Sequence, residues 1–233
     1  MKTKLDNFTT AVILAGGSGT RMKSDMPKHR IEILGESILK RSVRAFNSSN
    51  LIDAIVVVCR ADEVQEIREL LSDISKVYCV TSGGENRRES AKRGFEKIPK
   101  ESAFVAIHDA ARCLITPEMI DNAVSEAHKY KAAGCCCRVV DTVKLEDGGF
   151  IKETLERDNL RLAQTPQIFS VDLYKKALEE SGKYGEITDD NMMVERLGVK
   201  IRLVNTSSQN IKITTADDLL LAEFILKRRE ENV

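Results

Sequence analysis

Short apolar runs rich in β-branched residues alternate with segments of helical period along most of this 233-residue chain. The predicted strands are Ala11–Leu14, Ala54–Cys59, Lys76–Thr81 and Phe104–His108. The predicted helices are Ile38–Asn47, Asp62–Ser72, Arg87–Ile98 and Pro117–Tyr130. This order is typical of parallel βαβ units, in which the strands are buried between two layers of helices. It predicts a three-layer α/β/α sandwich with a mostly parallel sheet.

The alternation stops between residues 138 and 167, where the chain becomes polar and charged. Asp147, Gly148 and Gly149 form a turn signal that predicts a hairpin of two strands. Because such a hairpin would pack poorly on the sheet, we expect residues 138–167 to project as an arm. The remaining predicted elements are helix Val171–Ser181, helix Asp189–Leu197, strand Ile201–Asn205 and helix Ala216–Arg229. With neither a repeat nor a low-complexity linker, we expect a single domain spanning residues 1–233.

Composition narrows the classes of protein that the chain can represent. Lys+Arg and Asp+Glu are both 36, so no global field attracts nucleic acid or an anionic membrane. The first ten residues lack the apolar core of a signal peptide and no run approaches a membrane span, which predicts a soluble, cytoplasmic protein. The six cysteines include no CxxC pair, so we expect buried small side chains in a reducing compartment rather than a metal or redox centre.

The first predicted strand runs directly into the glycine-rich segment AGGSGTRM. Gly16, Gly17 and Gly19 permit the close backbone approach that lets successive N–H groups converge on phosphates. Arg21 and Lys28 then add positive charge where phosphate oxygens would lie. The glycines are also consistent with a tight turn that serves packing alone, but the two cations favour phosphate binding. The spacing fits neither a Walker loop nor a dinucleotide fingerprint.

Two further clusters follow predicted strands. The segment SGGENRRES, residues 82–90, is consistent with either a ligand-facing loop or a solvated helix start. In VAIHDAAR, Asp109 lies at the end of a strand, where one carboxylate can hold a hydrated Mg²⁺ that bridges phosphates. We expect the neighbouring His108 to be structural.

The sequence leaves two orientations open for the side chain of a lysine near the C-terminus. Lys212 lies between Ile211 and Ile213 on a predicted short strand, so its side chain points away from both isoleucines. If the isoleucines face the core, the lysine faces a pocket or solvent, and the pattern alone favours solvent.

The ordered set of motifs resembles the 2-C-methyl-D-erythritol 4-phosphate cytidylyltransferases of the non-mevalonate isoprenoid pathway. It comprises AVILAGGSGTRM, PK, GGENRRES, HDAAR, DTVK, TPQIF, TDD and NIKITTADDLLLAE, and it covers nearly the whole chain. The resemblance implies a Rossmann-like nucleotidyltransferase fold and transfer of CMP from CTP to the polyol phosphate, with release of pyrophosphate. The chain departs from the family at His29, Arg30 and Cys113, which puts CTP affinity in question more than identity.

The resemblance also implies a role for individual residues. The catalytic cations are Arg21, Lys28 and Lys212. The CTP-binding residues are Ala15, Gly16, Gly17, Ser18, Gly19, Gly84, Glu85, Ser90, Asp109 and Ala110. The residues matching the methylerythritol phosphate site are Thr142, Arg157, Thr165 and Thr188. Asp109 matches the region that holds Mg²⁺, and Lys212 faces the substrate rather than solvent.

In the family the acceptor site is completed by the β-arm of a partner subunit, so the resemblance implies a homodimer. Three other functions share part of the pattern. They are a cytidylyltransferase for ribitol 5-phosphate or another polyol phosphate, a sugar 1-phosphate nucleotidyltransferase, and a nucleotide-binding regulator without turnover. HDAAR and TDDNMMVERLG favour the methylerythritol group, and the retained cations argue against the regulator.

Overall fold

The computed structural model describes residues 4–16, 30–183 and 186–231. The strands in these ranges are β1 (Thr9–Leu14), β2 (Glu32–Ile33), β3 (Glu36–Ser37), β4 (Ala54–Cys59), β5 (Val77–Ser82), β6 (Phe104–Asp109), β7 (Ala132–Arg138), β8 (Lys144–Asp147), β9 (Phe150–Thr154), β10 (Arg161–Ser170) and β11 (Arg202–Asn205). The α-helices are α1 (Ile38–Ser48), α2 (Val64–Leu70), α3 (Arg87–Phe95), α4 (Pro117–Tyr130), α5 (Val171–Glu180), α6 (Asp190–Glu195) and α7 (Ala216–Glu231).

Seven strands form one central sheet in the order β11-β7-β10-β6-β1-β4-β5. Neighbouring strands pair in parallel except β10, which is antiparallel to both β6 and β7. The carboxyl ends of the six parallel strands therefore lie at one edge. The predicted α/β fold with a mostly parallel sheet is confirmed.

Helices cover both faces of the sheet, because side chains alternate along each buried strand. Ala11 and Ile13 of β1 pack in a cluster with α1, α2 and α4, whereas Val12 packs on the opposite face with α3, α5 and α6. Helix α7 packs in a third cluster that includes Ile33 and Ile213. These contacts give the three layers that the sequence predicted.

Most predicted elements agree with the structure within one or two residues, and β4 and α4 agree at both ends. The predicted helix Asp62–Ser72 is instead a 3₁₀ turn, Ala61–Glu63, followed by α2. The predicted strand around Lys212 is wrong: residues 211–214 are not in a strand. The Ile213 N–H donates to the carbonyl of Ala111 in a loop at 2.8 Å, so this backbone pairs outside the sheet.

The hairpin of β8 and β9 forms a sheet of its own, with Gly148 and Gly149 at positive φ in its turn. All nine of its strand residues are exposed. The following strand, β10, belongs to the central sheet, so residues 164–167 are buried there.

The cysteines are all unpaired, and five of the six are buried; Cys79 is half-buried. Cys135 packs in the apolar cluster beneath β7, as expected for a small core side chain. Among the described residues, none of the helices is both long and apolar enough to span a bilayer.

Candidate functional site

Three loops meet where the parallel strands end. The Ala15 N–H donates to the Val58 carbonyl at 2.7 Å, and the Ala110 N–H donates to the Leu14 carbonyl at 3.0 Å. These bonds continue the parallel ladders past the strand ends and hold the loops after β1 and β6 side by side. Gly16, the next residue after Ala15, is exposed at this edge. The predicted phosphate-binding residues Gly17, Ser18, Gly19, Arg21 and Lys28 lie outside the described residues.

Asp109, the last residue of β6, lies at the centre of this edge. Its Oδ2 accepts a hydrogen bond from Lys212 Nζ at 2.6 Å, and its Oδ1 accepts one from Arg87 Nε at 3.1 Å. The Asp109 side chain is only 12% exposed, whereas the Lys212 side chain is 38% exposed. Lys212 is thus paired with Asp109 rather than directed only at solvent, as alternation alone favoured.

The charge of Asp109 is stabilised by its two cations. Burial alone would raise its pKa because a carboxylate loses hydration, but the adjacent charges of Arg87 and Lys212 outweigh burial. The pKa of Asp109 is held well below its usual range, so the carboxylate is ionised at neutral pH.

Arg87, the first residue of α3, bridges Asp109 to a second carboxylate. Its Nη1 donates to Asp190 Oδ2 at 2.6 Å, and Asp190 Oδ1 accepts a hydrogen bond from the Tyr174 hydroxyl at 2.6 Å. Burial lowers the pKa of Arg87, but the charges of Asp190 and Asp109 raise it by more. The pKa of Arg87 is therefore raised overall. Arg87 lies in the segment SGGENRRES, but the sequence pattern indicated no role for Arg87 or Asp190. No pattern in the sequence reveals a pairing across 103 residues.

The loop between β5 and α3 is fixed by its own helix. The Gly84 N–H donates to Ser90 Oγ at 3.1 Å, and the Glu85 N–H donates to Glu89 Oε2 at 2.9 Å. A Cβ on Gly83 would lie 2.6 Å from Ser90 Oγ, so the loop packs too closely on α3 for a side chain there. Among the predicted residues, Glu85 is exposed at the loop, while Ser90 is buried and supports it.

Thr165 lies beneath Asp109. Its Oγ1 accepts a hydrogen bond from the Asp109 N–H at 3.0 Å and lies 3.0 Å from His108 Nδ1. His108 is fully buried, and burial lowers its pKa to about 3, so the ring is neutral. The expectation that His108 is structural agrees with this position. Thr165 is 4% exposed, so it supports the edge from below.

A further group of polar side chains near the edge was not predicted. Asn210 is fully buried, and its Nδ2 donates to Gln164 Oε1 at 3.0 Å and to the Thr165 carbonyl at 3.1 Å. Arg112 Nη1 donates to the Asn210 carbonyl at 2.9 Å. Asn210 begins the NIKIT segment, so this motif is the only sequence signal that could have indicated it.

The other predicted acceptor residues are not brought to Asp109 within the chain. Thr142 and Arg157 lie on the exposed hairpin segment, where Arg157 Nη1 donates to the Val140 carbonyl at 2.8 Å. Thr188 is exposed just before α6, and its hydroxyl lies 3.6 Å from Met192 Sδ.

The residues around Asp109 offer few ligands for a metal ion. The described ranges contain no cluster of three or more His, Cys, Asp or Glu side chains that could hold a metal ion. Asp109 offers one hard carboxylate whose two oxygens already accept from cations. This donor set fits a divalent ion that is held mainly by phosphates and water, to which Asp109 could contribute one carboxylate.

A mostly parallel sheet with glycine-containing loops and a charged cluster at its carboxyl edge defines a Rossmann-like α/β protein, a fold class in which ligands bind at that edge. The family model described as "IspD: 2-C-methyl-D-erythritol 4-phosphate cytidylyltransferase" matches residues 9–228. The chain belongs to this family, whose members are CTP-dependent nucleotidyltransferases.

Individual relatives agree with the family match. The chain is 40% identical to the 2-C-methyl-D-erythritol 4-phosphate cytidylyltransferase of Caldanaerobacter subterraneus subsp. tengcongensis, over 94% of this chain and 99% of that protein. It is 38% identical to the enzyme of the same name from Shouchella clausii, over 96% and 98% of the two chains. The crystal structure of 4-diphosphocytidyl-2C-methyl-D-erythritol synthase from Anaerococcus prevotii superimposes with a TM-score of 0.85 at 27% identity, covering 95% of this chain and 99% of that one.

Proposed function

We propose that the edge around Asp109 is the site at which this member of the family transfers a cytidylyl group from CTP to 2-C-methyl-D-erythritol 4-phosphate. A phosphate oxygen of the acceptor attacks the α-phosphorus of CTP and forms a new P–O bond. The bond from the α-phosphorus to the bridging oxygen breaks, and pyrophosphate leaves with the electron pair. The single observation that carries this placement is the Lys212–Asp109–Arg87 cluster, which lies at the end of β6 beside the glycine loops.

Each described residue has a distinct part in this scheme. The Lys212 side chain is 38% exposed and, unlike Arg87, forms no ion pair with a second buried carboxylate among the described residues, so its ammonium can turn from Asp109 to substrate phosphates. The loop at Gly84 and Glu85 frames the cytosine, and Ala15 and Gly16 begin the loop that receives the triphosphate. Because the attacking phosphate is already anionic near neutral pH, catalysis needs positioning and charge neutralisation rather than a general base.

Mg²⁺ is proposed to accompany the triphosphate, with Asp109 as its protein ligand. When bound, the ion neutralises charge on the phosphates and favours departure of pyrophosphate. Arg87 keeps the Asp109 carboxylate ionised and oriented toward this position.

The acceptor is proposed to bind between Thr188 and the arm of a second subunit, which supplies Thr142 and Arg157, while buried Thr165 supports this edge from below. The hairpin supports this arrangement because it exposes large apolar side chains: Phe150 is 79% exposed and Ile151 is 68% exposed. Such side chains on a protruding segment are typical of a surface that becomes covered by a partner. We infer a homodimer built from single-domain subunits of residues 1–233, acting in the cytoplasm, with the exposed part of the 138–167 segment around the β8–β9 hairpin as the arm.

Incubating the purified protein with CTP, Mg²⁺ and 2-C-methyl-D-erythritol 4-phosphate tests the proposal, with pyrophosphate release as the readout. Ribitol 5-phosphate in parallel reactions tests the alternative acceptor. Turnover with the methylerythritol ester at least tenfold above that with the ribitol ester supports the proposal. CTP binding in calorimetry without turnover of either polyol phosphate would instead indicate a nucleotide-binding regulator.

A further inference from the structure

On the side away from Asp109, Arg87 pairs with a buried carboxylate that has no proposed contact with the substrate. Asp190 is 1% exposed, and its two oxygens accept from Arg87 Nη1 at 2.6 Å and from the Tyr174 hydroxyl at 2.6 Å. Tyr174 is fully buried and stacks on Phe169 in the core, with ring centroids 5.5 Å apart. Asp190 is therefore anchored to the rigid interior, and through it one side of the Arg87 guanidinium is fixed.

The other side of Arg87 points at the candidate site. Its Nε donates to Asp109 Oδ1 at 3.1 Å. The planar guanidinium presents its donors in a fixed fork, so fixing one side of the fork against Asp190 aims the other side at Asp109. Lysine could not reproduce this, because its single ammonium carries no such fork.

Burying Asp190 is costly unless its charge is compensated, and packing alone would be served equally well by an apolar residue. Its pairing with Arg87 compensates the charge and gives the carboxylate an evident use. The pair also keeps the Asp109 carboxylate in position when Lys212 turns toward phosphate, because the hydrogen bond from Arg87 does not depend on Lys212.

Arg87 also connects Asp109 to the loop that precedes α3. It follows Asn86, whose side chain caps α3 by accepting a hydrogen bond from the Glu89 N–H at 2.9 Å. Glu89 in turn accepts from the Glu85 N–H. The first turn of α3 therefore sets the position of both the loop and the arginine.

We propose that Arg87 and Asp190 form a positioning pair for the nucleotide, in which buried Asp190 aims Arg87 so that the Asp109 carboxylate and the 83–86 loop are preorganised to receive CTP. The inference rests on the proposed function, because it assumes that this edge binds CTP. It predicts that disturbing Asp190 weakens CTP binding, although Asp190 itself does not contact the nucleotide.

The test is the affinity for CTP of an Asp190→Asn variant, measured by calorimetry, together with the KM values for both substrates. Asparagine is neutral, so the 2.6 Å ion pair with Arg87 Nη1 becomes at most a weaker, uncharged hydrogen bond and the guanidinium is held less firmly. We expect the Kd for CTP to rise about tenfold, as when the partner that orients a binding group is lost. The KM for the polyol phosphate should change less than twofold. A mere loss of folded protein would move neither value.

Two further variants complete the design. Arg87→Lys keeps the charge without the fork, and we expect its Kd for CTP to rise more than about threefold, which is over half of the Asp190→Asn effect in free-energy terms. If Asp190→Asn fails to fold, Arg87→Gln/Asp190→Asn removes both charges together and is measured in its place, with the same expected rise in Kd.

Asp121→Asn is the matched control. Asp121 accepts hydrogen bonds from Ser49 and from the Asn50 and Leu51 N–H groups just before β4, at the opposite edge of the sheet. We expect this variant to lose stability while its Kd for CTP stays within twofold of wild type.

The positioning role is overturned if Asp190→Asn, or the double variant, binds CTP within twofold of wild type. It is also overturned if Asp121→Asn weakens CTP binding equally. If the wild-type protein neither binds CTP nor releases pyrophosphate, the proposed function itself fails, which separates the two outcomes.

Discussion

Replacing Lys212 with alanine separates its part in catalysis from its part in stability. The ammonium forms a 2.6 Å ion pair with Asp109, but 38% of the lysine side chain is exposed. Exposed pairs contribute about 1 kcal/mol or less because water screens the charges. Asp109 keeps the hydrogen bond from Arg87 at 3.1 Å, so Lys212→Ala leaves no buried carboxylate without a cation.

We therefore expect Lys212→Ala to cost about 1 kcal/mol of unfolding free energy, equivalent to a fall in Tm of about 2–4 °C for a domain of this size. The loss of catalysis should be larger. Removing one preorganised donor to developing charge costs about 2.7–4 kcal/mol of transition-state stabilisation, which is a 10²–10³-fold fall in turnover. A measured difference of this size would identify Lys212 as a group that acts on the substrate.

The assay is pyrophosphate release at saturating CTP and acceptor, with Tm measured on the same preparation. Lys227→Ala is the matched control, since Lys227 also forms a 2.6 Å ion pair but with Glu223 on α7. It should retain full turnover. Turnover of Lys212→Ala within twofold of wild type would refute the assignment, and a Tm fall above about 10 °C would show that the stability estimate is wrong. Lys28→Ala, expected to reduce turnover similarly, tests a residue outside the described ranges.

Three further substitutions test the packing and charges around the site. Gly94→Ala would place a Cβ 2.6 Å from Val58 Cγ2 between α3 and the sheet, so we expect a loss of about 1–2 kcal/mol in urea unfolding despite the better helix propensity of alanine. Thr165→Val removes the acceptor of the buried Asp109 N–H and should lower the urea midpoint by an amount equivalent to about 1–3 kcal/mol. Burial raises the pKa of the Cys113 thiol to about 12. Above pH 9 the unfolded chain has lost a proton that the native state keeps, so unfolding free energy falls by up to about 1.4 kcal/mol per pH unit. Cys113→Ala should show a shallower fall between pH 8.5 and 10, and an equal slope would contradict the reasoning.

The elements that the sequence predicted best are those decided by local pattern. Strand β4 is an unbroken apolar run, and helix α4 begins with Thr116 as its cap and Pro117 at its first position. Both signals act over a few residues, so their bounds agree with the structure. In contrast, β7 was not predicted as an element, because its sequence AAGCCCR consists mainly of small residues with weak strand preference.

Strand β10 was missed for a different reason. Its sequence contains Gln164, Thr165 and Gln167, which are polar side chains typical of an exposed segment, yet all three are buried. They are satisfied by distant partners: Gln167 Nε2 donates to Asp189 Oδ2 at 2.7 Å, and Gln164 Oε1 accepts from Asn210. A buried polar side chain is stable only when it has a hydrogen-bond partner. The partners of these side chains lie 22 or more residues away along the chain.

For the same reason, the sequence indicated Asp109 at the candidate site but not the partners that surround it. Strand alternation and the end of β6 placed Asp109 at the carboxyl edge, and the position agrees with the structure. A carboxylate that is only 12% exposed must be compensated by nearby cations, so its burial alone requires partners such as Arg87 and Lys212. The alternation of apolar and polar residues around Lys212 excluded only a position of the lysine in the core. It favoured solvent because it does not consider charge. The buried Asp109 carboxylate requires a cation, and this requirement places the Lys212 side chain in the pocket rather than in solvent. The two residues are 103 positions apart in the sequence. Predicting such a site therefore requires asking, for each carboxylate placed in the interior, which cations can reach it.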